Sequence, residues 1–384
     1  MKKSDKIISY YNICNIIIVI GGIMSVQVKV LKAFQGDCIW IRYGEEHFTN
    51  IIVDSGPSKF KDKFLDLISK IKELGENIDL LIFTHIDNDH IGGASKVLAD
   101  YNIPCDCIKK IWINTATKVC EYFNLNESVG KDYIVDAENI NQEYTPRVAN
   151  KLIDIIIKRN IEVEQMIMCN DIKEKNKIEF NNAEIIILSP TKDRLIKMVN
   201  EWEKYGLNTQ FSSEDWSEVD LDTIFTDDEY TKDTNKFNGS SIAFLFKYNN
   251  IKLALLGDSY SEVIADSLRC LEEDKRIDVD LVKLSHHCSA SNTNYDLLNK
   301  LNCSNYIIST NGMYNNPDKR TIARLLKANS KNNINLYSNY NWWSNTSYFT
   351  ETDYDKYLKK NIVNPIELGS DVIKVKEGLL ISNE

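Results

Sequence analysis

No C-x-x-C pair joins any two of the nine cysteines, which are scattered at Cys14, Cys38, Cys105, Cys107, Cys120, Cys169, Cys270, Cys288 and Cys303. The close ligand spacing of a structural zinc site is therefore missing. The odd count excludes a fully paired disulfide framework and fits unpaired thiols, most of them small buried hydrophobes, in a reducing cytosol. Also lacking is the positive excess of a protein that coats nucleic acid. Against 46 basic residues stand 56 acidic ones, a net charge of −10. Nine of the acids lie between Glu214 and Asp233 against Lys232 alone, so this stretch carries −8 and everything else only −2. A strongly basic protein is excluded, but a local basic groove is not. No internal repeat occurs at solenoid periods, and the acidic stretch is the sole low-complexity tract.

What is present is ordinary globular material: 384 residues, 43% hydrophobic and 27% charged. That length suits two domains or one large α/β domain with insertions. At the N-terminus Lys2, Lys3 and Lys6 precede an apolar run from Ile7 to Met24, broken by Asn12 and Asn15. No A-x-A cleavage site follows, and Met24 runs straight into a strand pattern. The first 23 residues read as an upstream extension of the reading frame, with a hydrophobic anchor or a packed helix as alternatives. With a start at Met24 the expectation is a cytoplasmic protein without stable membrane association.

Apolar β-branched runs predict strands over Val26–Leu31, Cys38–Arg42, Asn50–Asp54, Ile78–Phe83 and Ile108–Ile113,. Phe60, Phe64, Leu67, Ile68, Ile71 and Leu74 recur at helical spacing up to Gly75, and a second helix opens at Gly92,. Residues 116–237 are more polar, with helices over Val148–Lys158 and after Pro190, and a strand over Glu184–Leu188. They read as a lid-like insertion whose acidic end is a solvated loop or a shield over a cleft. The α/β rhythm then returns, with strands over Ser241–Lys247, Lys252–Leu256, Val279–Leu284 and Tyr306–Ser309 and helices from Ser261 and over Asp318–Ala328. A closing hairpin turns at Lys376-Glu377-Gly378. An aromatic stretch from Tyr337 to Tyr357 reads as packing, with base stacking as the alternative.

Only five histidines occur, and four of them lie in two motifs, each directly after a buried strand. Strand ends are where α/β folds place ligand-binding groups. In Thr84-His85-Ile86-Asp87-Asn88-Asp89-His90-Ile91-Gly92-Gly93, two imidazoles and two carboxylates occupy six positions. Alternation along an extended segment puts His85, Asp87 and Asp89 on one side, with His90 turned toward a neighbouring position. That geometry can feed two adjacent metal ions. The second motif is Ser285-His286-His287-Cys288-Ser289, and the fifth histidine, His47, reads as exposed in a turn.

The first motif resembles the H-x-H-x-D-H signature of metallo-β-lactamase-fold hydrolases. Gly36-Asp37-Cys38, Val53-Asp54-Ser55-Gly56, Leu256-Gly257-Asp258 and the His286–His287 element follow in that family's order. The resemblance implies an α/β fold, an αββα sandwich with a large insertion between its halves. Residues 24–115 would form the first half, 116–237 the insertion, 238–345 the second half and 346–384 a C-terminal extension after the 1–23 extension. It further implies two divalent ions, zinc or manganese with magnesium as a further choice. His85, Asp87, Asp258 and Asn238 would hold one ion. Asp89, His90, Asp258 and one of His286 and His287 would hold the other, leaving the remaining imidazole for a phosphoryl oxygen. Asp89 would also take a proton, and Asp54 would act in catalysis by orienting ligands from beneath.

Two departures from the family pattern narrow the resemblance: Asp87 replaces the second histidine, and Asn238-Gly239-Ser240-Ser241 stands where a further histidine is usual. Carboxylate and amide in place of imidazole favour harder ions. These departures resemble the hydrolase domain of ComEC-type DNA-uptake proteins and, more closely, stand-alone hydrolases of bacterial antiphage operons of the type 1 AVAST kind. The implied activity is phosphoester hydrolysis, as a nuclease with nucleic acid as substrate and an operon-encoded protein partner. The alternatives are a small-molecule phosphodiesterase or phosphorylcholine-esterase-like hydrolase, and a non-catalytic metal-binding defence subunit.

Overall fold

The computed structural model describes residues 25–125, 145–171, 173–202, 219–273, 275–330, 333–344, 349–363, 372–376 and 378–383. The N-terminal run, the start of the acidic stretch and Tyr348 lie outside them. In chain order the first strands are β1 (Ser25–Val30), β2 (Ile39–Gly44) and β3 (Phe48–Val53), followed by α1 (Lys61–Glu73), β4 (Leu80–Ile82), α2 (Asn88–Ala99) and β5 (Lys110–Trp112). Helices α3 (Ala116–Phe123) and α4 (Thr145–Lys158) lead to β6 (Glu162–Val163), β7 (Lys177–Phe180), β8 (Ala183–Ser189), α5 (Lys192–Glu201) and α6 (Leu221–Thr226). The second half contains β9 (Ala243–Tyr248), β10 (Ile251–Leu255), α7 (Ser261–Leu271), β11 (Ile277–Asp278), β12 (Leu281–Lys283), α8 (Tyr295–Lys300), β13 (Leu301–Asn302), β14 (Asn305–Ile308), α9 (Lys319–Ala328) and β15 (Asn335–Ser338). Strands β16 (Ile362–Val363), β17 (Val372–Lys376) and β18 (Leu379–Asn383) follow.

Two eight-stranded sheets result, ordered β17-β18-β1-β2-β3-β4-β5-β6 and β16-β15-β14-β12-β10-β9-β8-β7. Strand alternation sorts their side chains into layers. Val26, Val28, Ile39, Ile41, Ile51 and Leu80 face the second sheet's Ile185, Phe244, Phe246, Leu253 and Leu281. On the opposite face of the first sheet, Trp40, Ile52, Leu81 and Phe83 pack beneath Phe64 and Ile68 of α1 and Val97 of α2. Ala254, Val282 and Ile308 meet Ile264 of α7 and Ile322 of α9 outside the second sheet. Helix, sheet, sheet, helix is the layer order the sequence led us to expect.

The described parts of segment 116–237 join the two sheets and their core. Its β6 pairs with β5 at the edge of one sheet and its β7–β8 hairpin extends the other. Ala149, Leu152, Ile156, Leu195 and Met198 enter the core beneath the first sheet, because that apolar area is too small to bury by itself,. The described part of the acidic stretch is anchored at three points, while Asp227 and Glu229 stay exposed. Asp220 caps α6, Asp222 meets Lys356 and Tyr357, and Asp228 pairs with buried Arg324. The aromatic stretch is packing where it is described: Tyr337, Trp342, Trp343 and Phe349 are buried. None of the eight described cysteines forms a disulfide. No helix among the described residues is long and apolar enough to cross a membrane.

A candidate dinuclear metal centre

Strand β4 runs into the seam between the sheets, where Thr84, His85 and Asp87 follow it. Helix α2 begins at Asn88 with Asp87 as its N-cap. The segment is thus not extended as far as Asp89, and the helix does not wait for Gly92. Asp89 and His90 therefore occupy the first helical turn, where 100° steps rather than alternation direct them. Gly93 allows this turn to lie against the loop after β3, since a Cβ there would come within 2.1 Å of the Ser55 carbonyl oxygen.

Asp258 follows β10, and the His286–His287 doublet follows β12. In a strand, consecutive residues point to opposite faces. Here His286, His287 and Cys288 all adopt left-handed φ values of 47°, 54° and 73°, a run that non-glycine residues seldom accept,. The turn aims both rings at the same carboxylate. From Asp258 Oδ2, the Nε2 atoms of His90, His85, His286 and His287 lie 3.3, 3.8, 3.8 and 3.8 Å away. Asp87 Oδ2 lies 3.6 Å from His85 Nε2, and Asp89 Oδ2 lies 3.6 Å from His287 Nε2 and 3.9 Å from His90 Nε2.

Each ring is held from behind through Nδ1. His85 meets Thr84 Oγ1 (3.1 Å), His90 meets Asp54 Oδ2 (2.8 Å), His286 meets Asn292 Oδ1 (2.8 Å) and His287 meets the Ser309 carbonyl (3.0 Å). An Nδ1–H donated to these acceptors leaves each Nε2 lone pair facing Asp258. Asp54 is fully buried and also accepts from the Thr84 amide and hydroxyl, both at 2.8 Å. It positions His90 and does not face the mouth, so its part is orientation rather than contact with reacting atoms. Asn238 stands to one side: its amide donates to Asp233 Oδ2 (2.8 Å), and that oxygen lies 3.8 Å from His286 Nδ1.

Burial opposes charge on His90 and Asp258, yet the clustering overrides it. Asp258, Asp54 and Asp89 hold His90 well above the ordinary imidazole value, and His90, His286 and His287 hold Asp258 well below the ordinary carboxylate value,. The Nε2 atoms of His85, His90 and His287 and Oδ1 of Asp258 are buried without any hydrogen-bond partner. Native interiors seldom leave such atoms unsatisfied unless something binds them. Two overlapping groups, His85–His90–Asp258 and Asp89–His90–His287, each bring ligand atoms within 4.8 Å of one another, so the residues fit divalent metal binding,.

Asp37, Lys283, Asp233, Asn292, Thr84 and Ser309 escaped the sequence reading as site residues. A lysine inside the apolar run from Val279 to Leu284 was the one visible signal among them,. The Asp54 arrangement yields a prediction. Asp54→Asn turns an acceptor-only group toward three donors into one carrying its own N–H, which misorients His90. Mn²⁺ affinity of the metal-stripped protein should fall about 10–100-fold, measured by calorimetric titration.

Residues 31–115 match the family model described as "Metallo-beta-lactamase superfamily". Comparison with the curated proteins finds no match. Among solved structures the chain is similar to a diphosphatase from the PhnP family, at 14% identity over 79% of this chain and 80% of that one, TM-score 0.34. It is similar to CmlA, a diiron beta-hydroxylase from Streptomyces venezuelae, at 10% identity over 82% of this chain and 52% of that one, TM-score 0.40. It is also similar to the MIM-2 metallo-beta-lactamase, at 10% identity over 78% and 89% of the two chains, TM-score 0.31. The matched segment supplies Asp37, Asp54, His85, Asp87, Asp89 and His90, and with its layered sheets and helices this chain is a mixed α/β protein consistent with the metallo-beta-lactamase fold.

Proposed function

We propose that this chain is a metal-dependent phosphoester hydrolase acting on nucleic acid, in antiphage defence beside an operon-encoded partner. The observation that carries the hydrolase reading is the convergence of four imidazole Nε2 atoms on Asp258 Oδ2. Asp87 and Asp89 make the donor set harder than imidazoles alone, which supports Mn²⁺ or Mg²⁺ beside Zn²⁺. When bound, such ions neutralise phosphoryl charge and acidify a water molecule. His287 is 4% exposed in its side chain, against 32% for His286. His287 accordingly belongs to the interior ligand set, and His286 stands at the mouth where a phosphoryl oxygen arrives. Asn292 fixes that ring by accepting from Nδ1, while Asp89, 28% exposed, faces the same opening and is kept ionised by His90 and His287 beside it,. The nucleic-acid and defence parts rest on the motif departures at Asp87 and Asn238 and their resemblance to ComEC-like and antiphage hydrolases.

A small phosphodiester is the second reading, favoured by Asp233 at the rim, where a carboxylate opposes a polyanion,. Purified full-length protein, with Asp89→Ala as control, is to be incubated with DNA, RNA and bis-p-nitrophenyl phosphate across Mn²⁺, Mg²⁺ and Zn²⁺. We expect metal-dependent cleavage of nucleic acid that Asp89→Ala loses. Cleavage of the small ester alone selects the second reading, and equal signal from both proteins ends the hydrolase proposal.

A further inference from the structure

Directly behind the ligands, Asp37 and Lys283 form an ion pair whose side chains are each only 2% exposed. The pair spans the two halves, Asp37 preceding β2 and Lys283 ending β12. The contact runs through Asp37 Oδ2. Its other oxygen, Oδ1, is buried without a hydrogen-bond partner and lies 3.6 Å from His287 Nδ1. Asp37 also has the geometry of a ligand. Its carboxylate falls within 4.8 Å of donor atoms of Asp258 and His287, and separately of Asp54 and His90. A carboxylate so placed would draw a further cation among the imidazoles.

We infer that the Lys283 ammonium is a built-in cation that takes up the Asp37 carboxylate and limits the centre to two metal ions. This rests on the metal-centre reading above. Charge counting agrees with it. Asp37, Asp54, Asp87, Asp89 and Asp258 carry five formal negative charges around imidazoles that are neutral when they hold metal. Two divalent ions leave one of these uncompensated, and Lys283 supplies its counterpart. Asp233, at the rim, is held separately by the amides of Asn238 and Asn292. An ammonium on a strand also stays in place when ions leave, so the seam keeps one of its charges compensated in the metal-free protein. Lys283 is thus a positioning residue, acting on the metals through Asp37.

The test counts ions rather than turnover. Metal-stripped full-length wild type, Lys283→Met, Lys283→Arg and the Asp37→Asn/Lys283→Met double variant are titrated with Mn²⁺ by calorimetry. Bound ions per chain are then measured by plasma mass spectrometry. Lys283→Met should bind one more equivalent than wild type, because Asp37 becomes available, while Lys283→Arg and the double variant should return to the wild-type count. Circular dichroism establishes that the chain binding the added equivalent is folded, and the double variant shows that the added equivalent requires Asp37. An unchanged or lower count in folded Lys283→Met overturns the inference, and a wild type that binds no Mn²⁺ overturns the metal-centre reading with it. Should Lys283→Met fail to fold, Asp37→Asn alone decides. It leaves an uncompensated ammonium beside the ions and should weaken Mn²⁺ binding by roughly tenfold or more, and unchanged affinity would refute the role.

Discussion

Asp258→Asn should reduce metal-dependent hydrolysis by roughly 10³-fold while leaving the protein folded. The carboxylate is the point on which four rings drawn from two separate chain segments converge, and its Oδ1 is an orphaned buried acceptor. Asparagine preserves the volume, but it removes the charge on which the four rings converge and turns an N–H toward nitrogens that need a cation. Turnover of bis-p-nitrophenyl phosphate and the number of Mn²⁺ ions per chain are to be measured together, with circular dichroism as the control for folding. Retention of activity within tenfold of wild type would mean that Asp258 is not shared between ions, and the dinuclear reading would fail.

The second large effect is on stability and comes from Arg324. This side chain is 1% exposed and its partner Asp228 is 6% exposed. The guanidinium donates to both Asp228 oxygens, to the Glu229 carbonyl and to the carbonyls of Ala290 (2.6 Å) and Thr293 (2.7 Å). Removing one member of a buried pair strands the other, at about 3–5 kcal/mol. Arg324→Met should therefore lower the urea midpoint substantially. Arg324→Met/Asp228→Asn should recover part of that loss, because no unpaired buried charge remains. Ala290 and Thr293 flank Asn292, which holds His286, so the single variant should also weaken metal binding. A midpoint unchanged by Arg324→Met would show that the acidic segment is not anchored there.

Much of this was legible in the residues. Apolar β-branched runs marked β1 to β3, the Phe64–Ile71 spacing marked α1, and the dense Thr84–Gly93 motif pointed to His85, Asp87, Asp89 and His90, which gather at the seam. Local patterns of this sort depend on neighbours in sequence, which a reader of the chain can see. The start of α2 at Asn88 was missed because Asp87 and Asn88 suit a turn as well as an N-cap. The left-handed run at His286–Cys288 was hidden because no glycine announces it. Asp37 and Lys283 are 246 positions apart, and nothing local to either shows that they meet. The same is true of Asn292 and Ser309, whose contributions depend on where a turn places an amide oxygen or a carbonyl.

Strand β1 lies between β2 and β18, with Val26–Val30 in parallel register against Leu379–Asn383. The residues that complete this edge are about 350 positions away along the chain, a separation at which loop closure is slow. Until they arrive, β1 presents a bare row of amide and carbonyl groups in a valine-rich strand, a template for pairing with another molecule. Refolding at high protein concentration should therefore divide between the native sheet and intermolecular strand exchange, and dilution should shift the balance toward the monomer.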